Sequence, residues 1–262
     1  MNFTYAGLTD KGLLRENNED ALAIDPLQSI AVLADGMGGY NAGEIASAMA
    51  VTFVKAELSR WLQETAMRSR TRDIRQAIEA CVINANQSIY NAAKANPHFS
   101  GMGTTLVVGV FDQSRVLVAN VGDSRCYMWR DHVLTQLTRD HSLLQEQLDA
   151  GLLTAEQAKV ATHKNLVTRA LGVEPGVLVD VFEHVPMPGD VYLMCSDGLC
   201  DMVDDEDMAQ ILSDSGSLTD QAHALIRAAN DAGGRDNISV ILASTRTEPG
   251  KPGFFSRILR RS

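Results

Sequence analysis

TTLVVGVFDQSRVLVANV, residues 104–121, is the stretch that decides the fold class of this chain. Two runs of apolar residues, rich in valine and leucine, are separated by a short polar segment that is typical of a turn. Such runs indicate β-strands. Parallel strands need a crossover of roughly a dozen residues or more, so these two strands are expected to form an antiparallel hairpin. Another strand, residues 125–129, follows almost at once.

Further patterns predict more strands and three helices. Apolar runs indicate strands at residues 29–35, 191–196 and 237–244. Two long helices are expected one after the other, because apolar residues recur at helical spacing, and residues 217–233 are a third candidate. Since these two helices stand between runs of closely spaced strands, the sequence predicts an α+β fold with helices packed on antiparallel sheet. The apolar helix positions are Ile45, Met49, Phe53 and Ala56, then Ile74, Ile78, Val82 and Ile89.

Composition narrows the class of protein. The 262 residues include 45% hydrophobic and 21% charged residues, and 23 basic against 33 acidic residues give a net charge of −10. This charge argues against general nucleic-acid binding, which needs a basic surface. The four cysteines form no CxxC pair, and neither a signal peptide nor an apolar run of about 20 residues is present. A cytoplasmic protein with reduced thiols is expected.

Four aspartates stand at the ends of predicted strands. Asp35, Asp123 and Asp197 are each beside a glycine, and Asp236 comes just before the last strand. One Asp-Gly pair after a strand usually marks a turn. Four such carboxylates at one edge would repel one another and be partly neutralised unless cations lie between them. Mg²⁺ and Mn²⁺ favour oxygen ligands, and a pair of ions about 3.5–4 Å apart can activate a shared water.

RENNED, residues 15–20, adds more charge near the start of the chain. Glu19 and Asp20 extend the set of carboxylates, and an arginine near a metal pair suggests a bidentate clamp on phosphate oxygens. The alternative for Arg15 is a surface ion pair of small energetic value. The segment therefore predicts one residue that binds a phosphate, Arg15, and further carboxylates for the metal site.

Six motifs occur in one order: RENNED, ADGMGG, GTT, GDSR, CSDGL and GRDN. This ordered set resembles the metal-dependent protein phosphatases of type 2C in their bacterial form, over residues 1 to about 245. The resemblance implies an α-β-β-α sandwich, in which helices flank two antiparallel sheets and a dimetal site lies at one end. Residues at about 141–165 are expected to form a flap, with two short helical stretches and a turn at Gly151. The resemblance places this flap beside the substrate groove within a phosphatase domain at residues 1–247, which a basic tail at 248–262 follows.

The resemblance also implies a ligand set for two ions, Mn²⁺ or Mg²⁺. Asp35 would bridge both ions. Asp197 and Asp236 would complete the first, and Glu19 with the carbonyl of Gly36 would hold the second.

Other site roles carried by the resemblance concern waters, a third ion and the substrate. Asp20 would fix metal-bound waters, and Asp123 would bind a third, weaker ion together with Asp197. Arg15 would hold the substrate phosphate. Eukaryotic relatives often have a histidine as general acid two residues after the bridging aspartate, where this chain has Met37. The proton donor is therefore left open, with a metal-bound water favoured over Tyr40.

The implied activity is hydrolysis of phosphoserine and phosphothreonine by in-line attack of a metal-bridging water. Phosphorylated proteins, made by a eukaryotic-like Ser/Thr kinase of a bacterium, would be the substrates, and a monomer is expected. The alternative is a phosphoprotein-binding regulator with weak catalysis. That alternative predicts lost metal carboxylates, whereas all the expected ones are present. The pathway is left open.

Four smaller features have more than one reading each. The acidic run 204–207 is interpreted as a helix N-terminus rather than a metal site. His141, at the start of the flap, would lie either on the substrate side or in a solvated loop. Cys195 and Cys200 are interpreted as core residues rather than redox partners. The tail could contact an anionic membrane, dock on a partner or be disordered.

Overall fold

A computed structural model describes residues 2–39, 42–65, 71–154, 157–158 and 166–245 of the chain. The strands are β1 (Thr4–Asp10), β2 (Asp20–Asp25), β3 (Ile30–Met37), β4 (Gly103–Thr104), β5 (Leu106–Phe111), β6 (Val116–Val121), β7 (Arg125–Arg130), β8 (Val133–Gln136), β9 (Asp180–His184), β10 (Val191–Cys195) and β11 (Ile238–Ser244). The helices are α1 (Ala42–Thr65), α2 (Thr71–Ala95), α3 (Leu143–Asp149), α4 (Asp197–Cys200), α5 (Asp205–Ser213) and α6 (Leu218–Asp231), with a short 3₁₀ turn at Pro97–Phe99.

The strands form two antiparallel sheets. One sheet has the order β1-β11-β10-β7-β8, and the other has the order β2-β3-β5-β6-β9 with β4 added beside β3. The predicted hairpin is confirmed, since β5 and β6 pair from Leu106 opposite Val121 to Phe111 opposite Val116. Thr105 separates β4 from β5, so the predicted strand 104–111 is divided near its start.

Three apolar layers hold the sandwich together. The middle layer lies between the sheets and includes Leu33, Val118, Tyr192 and Ile241. One outer layer lies between α1, α2 and the sheet that contains β3, and the other lies between α4 to α6 and the sheet that contains β11. The interior strands are therefore covered on both faces, which explains their unbroken apolar sequences. The predicted α-β-β-α architecture is confirmed.

Capping residues set the starts of two helices near the C-terminal half. Asp204 accepts a hydrogen bond from the backbone of Asp207, so the acidic run starts α5 as predicted. Ser217 and Asp220 form a reciprocal capping box at the start of α6. The third predicted helix is thereby confirmed.

The first part of the predicted flap is described, and most of its second part is not. Helix α3 starts after Ser142, which accepts a hydrogen bond from the backbone of Gln145. Gly151 has a φ of +67°, which places the predicted turn there. The second predicted helical stretch falls mainly outside the described residues, as does the tail 248–262.

Two further expectations concern the membrane and the thiols. Among the described helices, none has the length and apolar character needed to cross a bilayer. All four cysteines are free, and three of them are buried, including Cys195, while Cys200 is half-buried. The interpretation of these two cysteines as packing residues agrees with this placement.

Candidate active site

The predicted carboxylates meet at one end of the sandwich. Asp20 begins β2 and lies opposite Asp35 of β3 in the sheet register. Asp197 follows β10 at the start of α4, and Asp236 precedes β11 in the other sheet. A direct link joins the two sheets here, because the hydroxyl of Ser196 donates a hydrogen bond of 2.8 Å to Oδ2 of Asp20. The site therefore spans the ends of both sheets.

Burial and mutual repulsion together raise the pKa values of carboxyls in this cluster. Desolvation and the charges of four neighbouring aspartates raise the pKa of Asp35 well above its ordinary value. Those neighbours are Asp20, Asp197, Asp123 and Asp236. Desolvation, followed by the charge of Asp123, likewise raises the pKa of Asp197 well above its ordinary value. These carboxylates therefore share one buried, negatively charged environment.

Asp20 is buried, with 9% of its surface exposed. Desolvation raises the pKa of its carboxyl to about 6, against the lowering effect of hydrogen bonds. Its Oδ1 atom has no hydrogen-bond partner among the described residues. A buried carboxylate oxygen without a partner is a suitable acceptor for a metal-bound water, which is the role implied for it by the resemblance.

Glu19 is brought to Gly36 by the start of α1. The backbone N–H of Gly36 and the hydroxyl of Ser47 both donate to the carbonyl of Glu19, at 3.1 and 2.5 Å. A Cβ atom on Gly36 would lie 2.2 Å from the carbonyl oxygen of Gly43, and one on Gly43 would lie 2.8 Å from Oε2 of Glu19. Only glycine fits at these two positions, so the backbone of β3 and the Glu19 side chain lie side by side.

Arg15 lies at the rim of the cluster and pairs with a predicted metal ligand. Its Nη2 atom is 2.6 Å from Oδ2 of Asp236, and 53% of the Arg15 side chain is exposed. The other carboxylate oxygen of Asp236 accepts from the backbone N–H of Asn237 at 2.8 Å. Burial lowers the pKa of Arg15, but the neighbouring acids outweigh it and raise the value. The ion-pair reading of Arg15 thus has a specific partner, inside the site itself.

Asp123 is held in a turn that packs against Thr105. It is 8% exposed, and burial followed by the charge of Asp140 raises its pKa to about 6. Gly122, just before it, has a φ of +106°, and a Cβ there would lie 2.7 Å from the Thr105 side chain. The Thr105 hydroxyl is 2.7 Å from that of Ser124 and accepts from the backbone N–H of Asp35 at 3.0 Å. Thr105 therefore connects the Asp123 turn to β3.

Asn237 is a functional candidate that the sequence reasoning did not single out. Its Oδ1 atom accepts from the backbone N–H of Glu19 at 2.8 Å. Its Nδ2 atom donates to the carbonyls of Lys11 and Asn17, both at 2.9 Å. One buried amide thus holds RENNED against the loop that carries Asp236. The only sequence signal was its place in the GRDN motif, directly after that aspartate.

The reading of His141 as part of a solvated loop is wrong, because its side chain is buried, with only 6% of the residue exposed. The substrate-side reading stays a prediction. It lies between Gly122, Asp180 and Arg169. The position was misjudged because its partners are distant in sequence.

The donor set fits hard divalent cations. Every predicted side-chain ligand offers carboxylate oxygen, and the raised pKa values reflect negative charge that such ions would neutralise. Across the described residues, no three His, Cys, Asp or Glu side chains already form a cage around one point. One contributing cause is visible, since Asp236 turns one oxygen to Arg15 and the other to the backbone. Met37, at the end of β3, pairs with Gly103, and Tyr40 lies outside the described residues.

The fold and the site together define a class of protein, namely two-sheet sandwiches with an acidic site for hard cations across the ends of both sheets. Comparison with known proteins identifies the family within this class. Residues 15–230 match the family model described as Protein phosphatase 2C. The chain is 41% identical over 237 residues to the serine/threonine phosphatase stp of Listeria monocytogenes, covering 89% of this chain and 92% of that protein.

Solved structures agree with this match. The crystal structure of the Mycobacterium tuberculosis serine/threonine phosphatase PstP superposes with a TM-score of 0.85 at 35% identity, covering 94% of this chain and all of that one. The catalytic domain of PstP, in complex with two manganese ions, gives a TM-score of 0.80 at 36% identity, covering 92% and 97% of the two chains. The chain belongs to the protein phosphatase 2C family.

Proposed function

We propose that this chain acts as the protein serine/threonine phosphatase that its family membership indicates, with two Mn²⁺ or Mg²⁺ ions in the carboxylate cluster and a third, weaker ion beside it. One observation carries the proposal: carboxylates from both sheets meet at one end of the sandwich, where burial and the charges of four other aspartates raise the pKa of Asp35. Structurally similar PstP was crystallised with two manganese ions, which supports the same chemistry here.

The proposed ligands follow the layout of the site. Asp35 would bridge the two ions, because it lies at the centre of the mutual repulsion. Asp197 and Asp236 would complete one ion, and Glu19 with the Gly36 carbonyl would complete the other. Asp123 and Asp197 would hold the third ion, since the charge of Asp123 helps burial to raise the pKa of Asp197.

When bound, a pair of divalent ions supplies a water of lowered pKa as nucleophile and neutralises charge on phosphate oxygens. The chain contributes the arrangement around that chemistry. The Ser196 hydroxyl holds Oδ2 of Asp20. The other oxygen, Oδ1, has no hydrogen-bond partner among the described residues and would orient a water. The Thr105 hydroxyl fixes the backbone of Asp35.

Arg15 would bind the substrate phosphate after leaving Asp236. Its side chain is half exposed at the rim, so the guanidinium can turn toward a phosphate and offer two parallel N–H donors. The same movement frees an oxygen of Asp236 for a cation. Met37 has no proton to give, because a thioether is only a weak acceptor. The proton for the leaving alkoxide would therefore come from a water in the site.

The proposed partners are phosphorylated proteins and a Ser/Thr kinase that makes them. Relatives named as serine/threonine phosphatases support this choice of substrate. We expect residues 1–247 to form the catalytic unit and the protein to be a monomer.

The basic tail 248–262 would serve for contact with an anionic membrane or another protein. A chain truncated after residue 247 should keep its turnover number and elute as a monomer, and vesicle co-sedimentation of both forms tests the tail. A cytoplasmic location stays a prediction, to be tested by cell fractionation.

The decisive experiment measures phosphate release from a phosphothreonine peptide. We expect turnover with Mn²⁺, none with a chelator, and a loss of at least about a hundredfold in Asp35→Asn. Asp131→Asn is the matched control, because Asp131 is exposed in a turn with a φ of +50° that asparagine also tolerates. Activity that survives chelation would contradict the metal assignment, and a folded wild-type chain that is inactive with Mn²⁺ would contradict the enzymatic one.

A further inference from the structure

His141 is a buried side chain whose ring bridges two parts of the molecule. The backbone N–H of Gly122 donates to its Nδ1 atom at 3.0 Å, and the backbone N–H of His141 donates back to the carbonyl of Gly122 at 2.9 Å. The Nε2 atom lies 3.2 Å from Oδ2 of Asp180 and 3.0 Å from Nη1 of Arg169. No other described histidine is buried.

The partners of the ring determine its protonation state. Because the Gly122 N–H points at Nδ1, that nitrogen must be unprotonated, and the proton of the neutral ring is on Nε2, where Asp180 accepts it. Arg169 then donates to Oδ1 of Asp180 at 3.2 Å rather than to the ring. The imidazole is thus a neutral connector with one acceptor end and one donor end.

The acceptor end of the ring holds the turn that carries Asp123. Asp123 directly follows Gly122, and the side chain of Asn120 also donates to the Gly122 carbonyl at 3.2 Å. The donor end holds the base of the flap. There the His141 carbonyl accepts from the backbone N–H of Thr168 at 2.8 Å, and Leu143 donates to Leu166 at 2.9 Å. Both ends of the flap therefore meet at His141.

Resting on the proposed function, we propose that His141 is a positioning residue that couples the base of the flap to the Asp123 turn, and so sets the affinity of the third cation site. The ring acts through its hydrogen-bond partners Gly122, Asp180 and Arg169. Its acceptor end orients the turn beside Asp123, and its donor end fixes Arg169 and Asp180 on the flap side. A change at one end is transmitted to the other through a rigid, buried ring.

Two substitutions separate the ends of the ring. Asparagine places an acceptor near the position of Nδ1, so His141→Asn keeps the Gly122 link and loses the Asp180 link. Glutamine places a donor near the position of Nε2, so His141→Gln keeps the Asp180 link and leaves the Gly122 N–H without its acceptor. Calorimetric titration with Mn²⁺ and hydrogen exchange in chelator are measured on both, with unfolding midpoints as the check on folding.

We expect a crossed pattern. His141→Gln should weaken the weakest Mn²⁺ site by about tenfold, a typical effect of groups that orient metal ligands, and speed amide exchange at residues 120–124. His141→Asn should leave that Mn²⁺ site within about twofold of wild type, raise KM for a phosphopeptide, and speed exchange at residues 166–171. In an Asp123→Asn background, His141→Gln should change Mn²⁺ binding no further.

Equal effects of the two substitutions on all Mn²⁺ sites, or no effect of either, would overturn the coupling while leaving the proposed phosphatase intact. If both variants lose stability to the same extent and neither speeds amide exchange at one of the segments 120–124 and 166–171 more than at the other, His141 is only a packing residue. That result would also overturn the coupling. A wild-type chain that neither binds Mn²⁺ nor releases phosphate would overturn both proposals.

Discussion

At the scale of a single residue, Asp35 shows how a side chain needed for function can destabilise the metal-free fold. Its pKa is raised by burial and by the charges of four other aspartates. A carboxylate in such surroundings destabilises the metal-free fold unless it takes up a proton. The motif ADGMGG indicated a ligand here, but its electrostatic cost depends on residues from both sheets.

Asp35→Asn should therefore stabilise the protein in chelator while removing its response to metal. We expect the free energy of unfolding to rise by about 1–2 kcal/mol, because the substitution relieves repulsion at a functional site. Added Mn²⁺ should stabilise the variant much less than wild type. Urea denaturation with chelator and with Mn²⁺ measures both effects. A variant that is less stable than wild type in chelator would contradict the repulsion argument, with Asp131→Asn again as control.

Gly36 tests how closely the backbone must approach the second cation site. Gly36→Ala should lower the free energy of unfolding by about 2–3 kcal/mol, since its Cβ would lie 2.2 Å from a backbone oxygen of Gly43. Gly39→Ala is the matched control, because nothing lies within 4 Å of a Cβ at that position. Thermal and urea unfolding of the two variants give the comparison. Equal losses in both would mean that close approach is not the reason for glycine at position 36.

At the scale of elements, the strands that the sequence did not predict are the four edges of the two sheets. The unpredicted strands are β1, β2, β8 and β9, and each stands at one end of a sheet order. Their residues are mostly half-buried or exposed, as in the pattern of β8. An edge strand is not covered on both sides, so it lacks the continuous apolar run that marked β5, β6, β10 and β11.

Asn237, just before β11, holds the segment between β1 and β2 in place through three hydrogen bonds. Asn237→Ala should lower the free energy of unfolding by about 2–3 kcal/mol, because it removes three hydrogen bonds that a buried side chain makes to the backbone of Glu19, Lys11 and Asn17. Activity should fall further than stability explains, since Glu19 and Arg15 lose their fixed positions. Steady-state kinetics at a temperature where the variant is fully folded measures this. Asn237→Asp keeps the acceptor for Glu19, and it should retain more activity than the alanine variant; the reverse order would contradict the argument.

At the scale of the whole molecule, protons and cations compete for one cluster. The pKa values of Asp20 and Asp123 are raised to about 6 in the folded chain. A folded carboxyl with a raised pKa holds its proton more tightly than the unfolded chain does. In the absence of metal, this contribution to stability is full below the ordinary pKa of about 3.8 and is lost as the pH rises through about 6. Burial lowers the pKa of His141 and His184. Their contribution to stability therefore rises with pH, opposite to that of the two aspartates.

Mn²⁺ should therefore stabilise the protein more at pH 8 than at pH 5.5. Cation binding requires the deprotonated carboxylates, so the apparent affinity falls by about tenfold per pH unit for each proton displaced. The measurement is the difference in unfolding temperature between Mn²⁺ and chelator at each pH, and this subtraction removes the contributions of the two histidines. A difference that is constant with pH would contradict the placement of cations among these carboxyls.

The sequence by itself determined the α+β class, the interior strands, the long helices and the acidic residues of the site. These features depend on neighbours along the chain: an apolar run, a helical period, or an aspartate beside a glycine at a strand end. Tertiary structure alone decided that Arg15 pairs with Asp236, that Asn237 holds Glu19, and that His141 is buried between Gly122 and Asp180. The first two contacts join residues more than 200 positions apart. Only the face-to-face packing of the two sheets, which sets their ends side by side, brings such groups within hydrogen-bond distance.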